Sequence, residues 1–164
     1  DGWIEMVNSL DKTRGVPVIV NTAARNSTGV ARYGQTLKST LGELGRTMVT
    51  LWVINRQRDS LELLADYLDA MPAGADHQVH VVRNGYFGSA EKFQLYNGSQ
   101  LKKRIEEAGG LTLDFPDLAD RVADQMATQR LTIQGALSEM PLGHRAELIR
   151  WRDEAFKVLG QVMT

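Results

Sequence analysis

The chain has 164 residues, 19 basic and 20 acidic side chains, a formal net charge of −1 and no cysteine. That length fits one domain able to bury a sizeable apolar core without covalent staples. The charge balance excludes a global pull toward nucleic acid, and the missing thiols exclude disulfides, cysteine nucleophiles and cysteine-ligated metals.

No apolar run approaches the roughly 20 residues of a membrane helix, and no signal peptide is visible. Together with the lack of cysteine this fits a reducing compartment, so a cytoplasmic location without a membrane partner is expected. The first residue is Asp1 rather than methionine, and the chain is read as the C-terminal part of a longer protein.

In chain order, Gly15 breaks the first segment, and Val16 to Val20 (V-P-V-I-V) reads as a strand. Pro17, which cannot donate to a ladder, favours an early or edge position for it. Tyr33, Leu37, Leu41 and Leu44 follow a 4-4-3 spacing that marks one helix face. Met48 to Ile54 (M-V-T-L-W-V-I) is the strongest strand signal. It is a continuous apolar run, as expected of a strand covered on both faces. Ser60 is a candidate N-cap for a helix carrying Leu61, Leu64, Leu68 and Met71. Val79 to Val82 reads as a third strand. Ser99 is a second candidate cap, for a helix with Leu101 and Ile105 that Gly109 ends. Leu111 to Phe115 reads as a fourth strand. Beyond Pro116 the pattern turns helical over Leu118 to Met126, Ile133 to Leu137 and Leu142 to Met163. The last helix carries a stripe of Leu148, Trp151, Ala155, Leu159 and Val162, read as packing on its own domain, with a homodimer or partner interface as the lesser reading. Alternating strands and helices predict an α/β fold with a doubly wound, mainly parallel sheet, flanking helices and a helical C-terminal region. Residues 1–126 form the expected α/β core and 127–164 a helical extension packed on the same domain.

In open α/β sheets, ligands sit beyond the carboxyl ends of the strands. There the sequence places Asn21 to Ser27 with Arg25, Asn55 to Ser60 with Arg56 and Arg58, Arg83 to Gly88, and Pro116-Asp117. Three of these loops carry arginine, whose planar fork suits phosphates and carboxylates. The alternative is that strand ends simply run into polar loops. His77, His80 and His144 lack metal-ligand spacing and read as surface or hydrogen-bonded side chains. Lys102-Lys103-Arg104 with Glu106-Glu107 reads as a solvated helix face, so direct DNA binding is not indicated. Ser27 and Ser60 have no base nearby, and no catalytic residue is assigned. No G-x-x-x-x-G-K-[ST] motif occurs.

Four stretches, V-P-V-I-V-N-T-A-A-R (residues 16–25), L-W-V-I-N-R-Q-R-D-S-L-E-L-L (51–64), V-H-V-V-R-N-G-Y-F-G (79–88) and F-P-D-L-A-D-R-V-A-D (115–124), resemble in their order the later two-thirds of the ParA/MinD group of deviant P-loop ATPases. The resemblance is to the plasmid transfer and mobilization branch, the TraL and StbB type. It implies a P-loop NTPase-like fold lacking its first strand and phosphate-binding loop, within a protein of plasmid or conjugative transfer or partition. It further implies that Asn84 and Pro116 flank an adenine base, that Asn21 and Thr22 face the γ-phosphate or metal side, and that Arg83 lies at the cofactor site. ATP and Mg²⁺ would be cofactors of the parent protein, and no cofactor is expected on this chain alone. Plasmid transfer or partition proteins would be its partners. Two departures bear on catalysis. The phosphate-binding loop is missing, and Asn21 stands where the family carries an acidic residue, without the charge that holds a hard cation. This chain alone is therefore expected not to hydrolyse ATP, whereas its parent is compatible with an ATPase. The rival expectation is a non-catalytic interaction module that kept the fold and lost the chemistry.

Overall fold

Three parallel strands organise the chain. The computed structural model describes residues 2–22 and 27–163. Its elements run α1 (Gly2–Lys12), α2 (Ser27–Leu44), β1 (Met48–Ile54), α3 (Arg58–Ala70), β2 (His77–Asn84), α4 (Gln94–Asn97), α5 (Gln100–Glu107), β3 (Thr112–Phe115), α6 (Asp120–Gln129), α7 (Ile133–Glu139) and α8 (Leu142–Leu159). Two 3₁₀ turns, Gly85–Phe87 and Ala90–Lys92, lie between β2 and α4.

The strand order is β1-β2-β3, all parallel. Leu51 pairs with His80 and Trp52 with Val81, while Asn84 pairs with Phe115. Alternation therefore puts Trp52, Ile54, Val79 and Val81 on one face. That face packs against Leu64 and Leu68 of α3, Tyr96 of α4, Ile105 of α5 and Phe93. The opposite face, with Leu51, Val82, Leu113 and Phe115, packs against Val158 and Val162 at the end of α8. A further cluster joins α6, α7 and α8 through Val122, Ala136, Met140 and Leu148. Helices thus lie on both faces of the sheet, but β1 is not covered on both as expected, since Val49 and Val53 are exposed on the face away from α3, and the strands run in sequence order with no reversal. Among the described residues the sheet winds in one direction, so the doubly wound expectation is corrected, and the crevice that a reversal opens is missing.

The Met48–Ile54 strand lies where it was expected, the third extends the expected run Val79 to Val82 to His77–Asn84, and the fourth begins one residue later than expected, at Thr112–Phe115. The expected strand at Val16 to Val20 does not form. These residues are irregular and exposed, Ile19 to 82 %. An apolar β-branched run becomes a strand only when a neighbour supplies ladder hydrogen bonds. No described strand does so here, Pro17 has no N–H to give, and the Val16 carbonyl accepts from Arg46 Nη1 at 2.9 Å. Arg46 also donates to the carbonyls of Leu10 and Thr13, at 3.1 and 2.6 Å. It thereby closes the C-terminal end of α1, a helix not foreseen from the sequence, where a cation satisfies orphan carbonyls. α1 packs Leu10, Met6 and Val7 on the Leu37, Leu41 and Leu44 face of α2.

Ser60 is not a cap. α3 begins two residues earlier behind Gln57, and the Ser60 hydroxyl donates to the Gln57 carbonyl at 3.0 Å. Ser99 does cap α5, its oxygen accepting from Lys102 N at 3.3 Å.

Candidate functional site

The carboxyl ends of the parallel strands bring three loops to one edge: Asn55-Arg56-Gln57 after β1, Gly85 to Gly88 after β2, and Pro116-Asp117 after β3. Asn84 is the last residue of β2 rather than part of the loop after it, opposite Phe115, which places it next to Pro116. The space between them is closed. A Cβ on Gly85 would collide with the Phe115 carbonyl oxygen and lie 2.9 Å from Asp117 N. The two loops therefore touch backbone to backbone, which only glycine permits. The Asn84 side chain is also engaged, its Oδ1 accepting from Tyr86 N at 3.1 Å in an Asx-type turn.

Each loop is held by its own neighbours. Trp151 Nε1 of α8 donates to the Pro116 carbonyl at 3.0 Å, with the indole edge-on to Phe115. Arg150 donates to the Asp117 carbonyl at 3.2 Å while gripping Glu147 and Glu154. These bonds hold the Glu147 carboxyl below its usual range and the Arg150 guanidinium above its own. Arg56 Nη1 donates to the Phe87 carbonyl at 3.2 Å. Arg83 points to the other side of the sheet. It bonds Asp114 through Nε and Nη2, at 2.6 and 2.8 Å, and Asn97 through Nη1 at 2.8 Å. In this arrangement it ties β2 to β3 and α4.

The structure does not bring Asn21 and Thr22 into this cluster. Both are exposed in the irregular stretch that replaces the first expected strand, and no hydrogen bond among the described residues links them to the other loops. The part of that loop bearing Arg25 lies outside the described residues. Sequence reasoning missed the anchoring by Arg150 and Trp151. Trp151 was read only as part of an apolar stripe, although an indole N–H near a chain turn is a recurrent donor. The exposed Tyr86-Phe87 pair was also passed over. Beside these loops, the crevice lined by Asn55, Arg56, Gln57, Phe93 and Tyr96 has no room for a water molecule. A groove of about 220 Å³ lies elsewhere, between α1 and α2, lined by Trp3, Val7 and Leu37.

The three histidines lie apart from this edge. His77 and His80 are buried. His77 Nε2 contacts Thr50 Oγ1 at 3.0 Å and Tyr67 OH at 3.2 Å. His80 Nδ1 accepts from Leu111 N at 2.9 Å, and His144 Nδ1 lies 2.8 Å from Gln125 Oε1. Burial lowers the pKa of both His77 and His80. No helix among the described residues is long and apolar enough to cross a membrane.

Fold and site together define an α/β protein with a three-stranded parallel sheet whose carboxyl edge gathers the loops after all three strands, the first of them bearing Arg56. No family model matches the chain, and no solved structure matches it. The chain is 59 % identical over 163 residues to Protein MobD of Acidithiobacillus ferrooxidans, a match covering 99 % of this chain and 70 % of that protein. The chain belongs to the MobD family.

Proposed function

We propose that this chain is the C-terminal part of a nucleotide-binding protein of plasmid mobilization, built on the ParA/MinD plan, with ATP and Mg²⁺ as ligands of the longer protein. The name of its 59 % identical relative supports the mobilization role. The observation that carries the nucleotide reading is the gathering of the loops after all three strands at the carboxyl edge of a parallel sheet, the edge at which open α/β sheets bind ligands, although the reversal that usually marks the site does not occur among the described residues. A second feature agrees with it. Among the described residues β1 has a free outer edge and no charged residue, and the apolar run Val16 to Val20 pairs with no strand. A first strand and its phosphate-binding loop would fit that edge, in a core spanning residues 1–126 with 127–164 as its helical extension. In that reading Asn84 and Pro116 border the base and Asn21 and Thr22 face the phosphates, with plasmid transfer or partition proteins as partners.

Specific observations favour the rival, an interaction module without nucleotide chemistry. The Arg83 fork is occupied, the Asn84 oxygen serves its own turn, and Gly85 closes the space beside Pro116. Calorimetric titration of Mg·ATP into the longer protein and its Asn84→Ala variant separates the two. The nucleotide reading expects about 2- to 13-fold weaker binding by the variant, the value of one neutral hydrogen bond. Equal affinity removes the base-reading role, and no binding by the wild type leaves the module.

A further inference from the structure

Tyr86 and Phe87 are large apolar side chains on a turn that the nucleotide reading does not use. Tyr86 is 69 % exposed and Phe87 39 %. Their rings meet edge to face, with centroids 5.2 Å apart and planes at 86°, so the pair presents aromatic surface to solvent. The turn is rigid. Asn84 Oδ1 accepts from Tyr86 N, and Gly88 N donates to the Gly85 carbonyl at 2.8 Å. Behind it, the Gly85 backbone abuts Phe115 and Asp117. Two cations flank it. Arg56 reaches the Phe87 carbonyl, and the Lys92 stem lies against Gly88, where a Cβ would come within 2.8 Å of Lys92 Cδ. Both are exposed, and neither forms an ion pair among the described residues. The nearby acid, Glu91, is hydrogen-bonded by the Ser89 hydroxyl.

We propose that this turn is a stacking platform for single-stranded nucleic acid, with Tyr86 and Phe87 receiving bases and Arg56 and Lys92 receiving the adjoining phosphates. Exposed rings beside exposed cations are the combination that binds a strand without reading its sequence, since every base has a π-face. Openness decides between a strand and a free nucleotide. Small-molecule sites bury most of their ligand, whereas these rings are exposed and the crevice beside them has no room for a water molecule. A strand instead sums weak contacts along its length. A near-neutral chain supplies no long-range steering, so the affinity is local. The platform shares the Asn84 turn with the proposed nucleotide site but acts through Tyr86 and Phe87, side chains that reading does not use, so loss of nucleotide binding and loss of strand binding are scored by different variants.

The test is fluorescence anisotropy of a labelled oligothymidylate of about 16 nucleotides with the purified protein at low salt. Tyr86→Ala should weaken binding about tenfold or more, the scale of one lost base stack, and Tyr86→Phe should retain it. Arg56→Ala and Lys92→Ala should each lower the slope of log affinity against log salt by about 0.7, as for one lost phosphate contact on a single strand. Tyr86→Trp supplies a contact signal, its emission quenched by the oligonucleotide. Circular dichroism of each variant keeps misfolding apart from lost contact. The proposal is overturned if the wild type does not bind, if Tyr86→Ala binds as well as wild type, if a duplex of equal length binds as tightly, or if a mononucleotide quenches Tyr86→Trp as strongly.

Discussion

Gly85→Ala is the substitution that most directly tests how the carboxyl edge is built. The added methyl would meet backbone on every near side: the Phe115 carbonyl oxygen, Asp117 N at 2.9 Å and the Pro116 carbonyl carbon at 3.2 Å. Backbone cannot rotate away as a flexible side chain can. Both walls are also anchored, one by Trp151 and Arg150 on the Pro116 and Asp117 carbonyls, the other by the Asn84 turn. The cost should therefore lie in the upper part of the overpacking range of about 1–3 kcal/mol. For a chain of this size each kcal/mol shifts Tm by about 2–4 °C, so a cost of about 2–3 kcal/mol gives a loss of about 4–12 °C. Thermal and urea unfolding followed by circular dichroism would measure it, with m unchanged because the same surface is exposed. Gly42→Ala is the control. It lies within α2 with open space around it, and alanine there should stabilise by up to about 1 kcal/mol. If Gly85→Ala proves as stable as wild type, the loops do not touch as described.

Acid should destabilise the protein through its buried histidines. Burial lowers the folded-state pKa of His80 and His77, so the unfolded chain binds protons first. Their contribution to stability is complete above about pH 6.5 and is lost as pH falls through the folded values. Urea midpoints should therefore drop between pH 7.5 and 5.5, less so in His80→Gln, and a flat profile would contradict the burial. Asp114→Asn should cost about 1–3 kcal/mol by leaving the Arg83 fork half-paired, since the Arg83 side chain is only 13 % exposed. An unchanged urea midpoint would mean that the pair contributes nothing.

Much of the fold could be read locally, because its signals are local. The run Met48–Ile54, the Leu37-Leu41-Leu44 face and the Ser99 cap each need only neighbours within a few residues. Val16 to Val20 carries the same kind of signal and does not form a strand, because a strand also requires a partner that composition cannot name. The candidate site was legible at the level of which loops share an edge, since parallel strands impose that arrangement. It was not legible at the level of engagement. Arg83 and Asn84 are adjacent in sequence but lie on opposite faces, and that parity sends one to Asp114 and the other to the turn. The grip of Arg150 and Trp151 on Pro116-Asp117 spans more than thirty residues, beyond any periodicity.

The outer edge of β1 makes a last prediction. Natural edge strands are guarded by charges, prolines or bulges against pairing with another chain. M-V-T-L-W-V-I carries no charge and no proline, and Val49 and Val53 are 42 % and 59 % exposed on the face away from α3. About half of the backbone N–H and C=O groups of β1, those of alternate residues, point to this outer edge, and beside exposed valines they should recruit another strand, so this chain should self-associate as its concentration rises. Val53→Lys should suppress that, because a charge on the edge must be desolvated when a second strand docks, while an exposed site tolerates lysine within about 0.5 kcal/mol. Light scattering coupled to size exclusion over a concentration series reads the effect. Monodisperse wild type at the highest concentration, or equal association of Val53→Lys, would refute it. Under the nucleotide reading the chain is part of a longer protein, which adds a discriminating arm. If a further strand fills this edge, as the nucleotide reading holds, the longer protein stays monodisperse under conditions where the 164-residue chain associates. If the edge is open in both, both associate, and the strand invoked for that reading is not there.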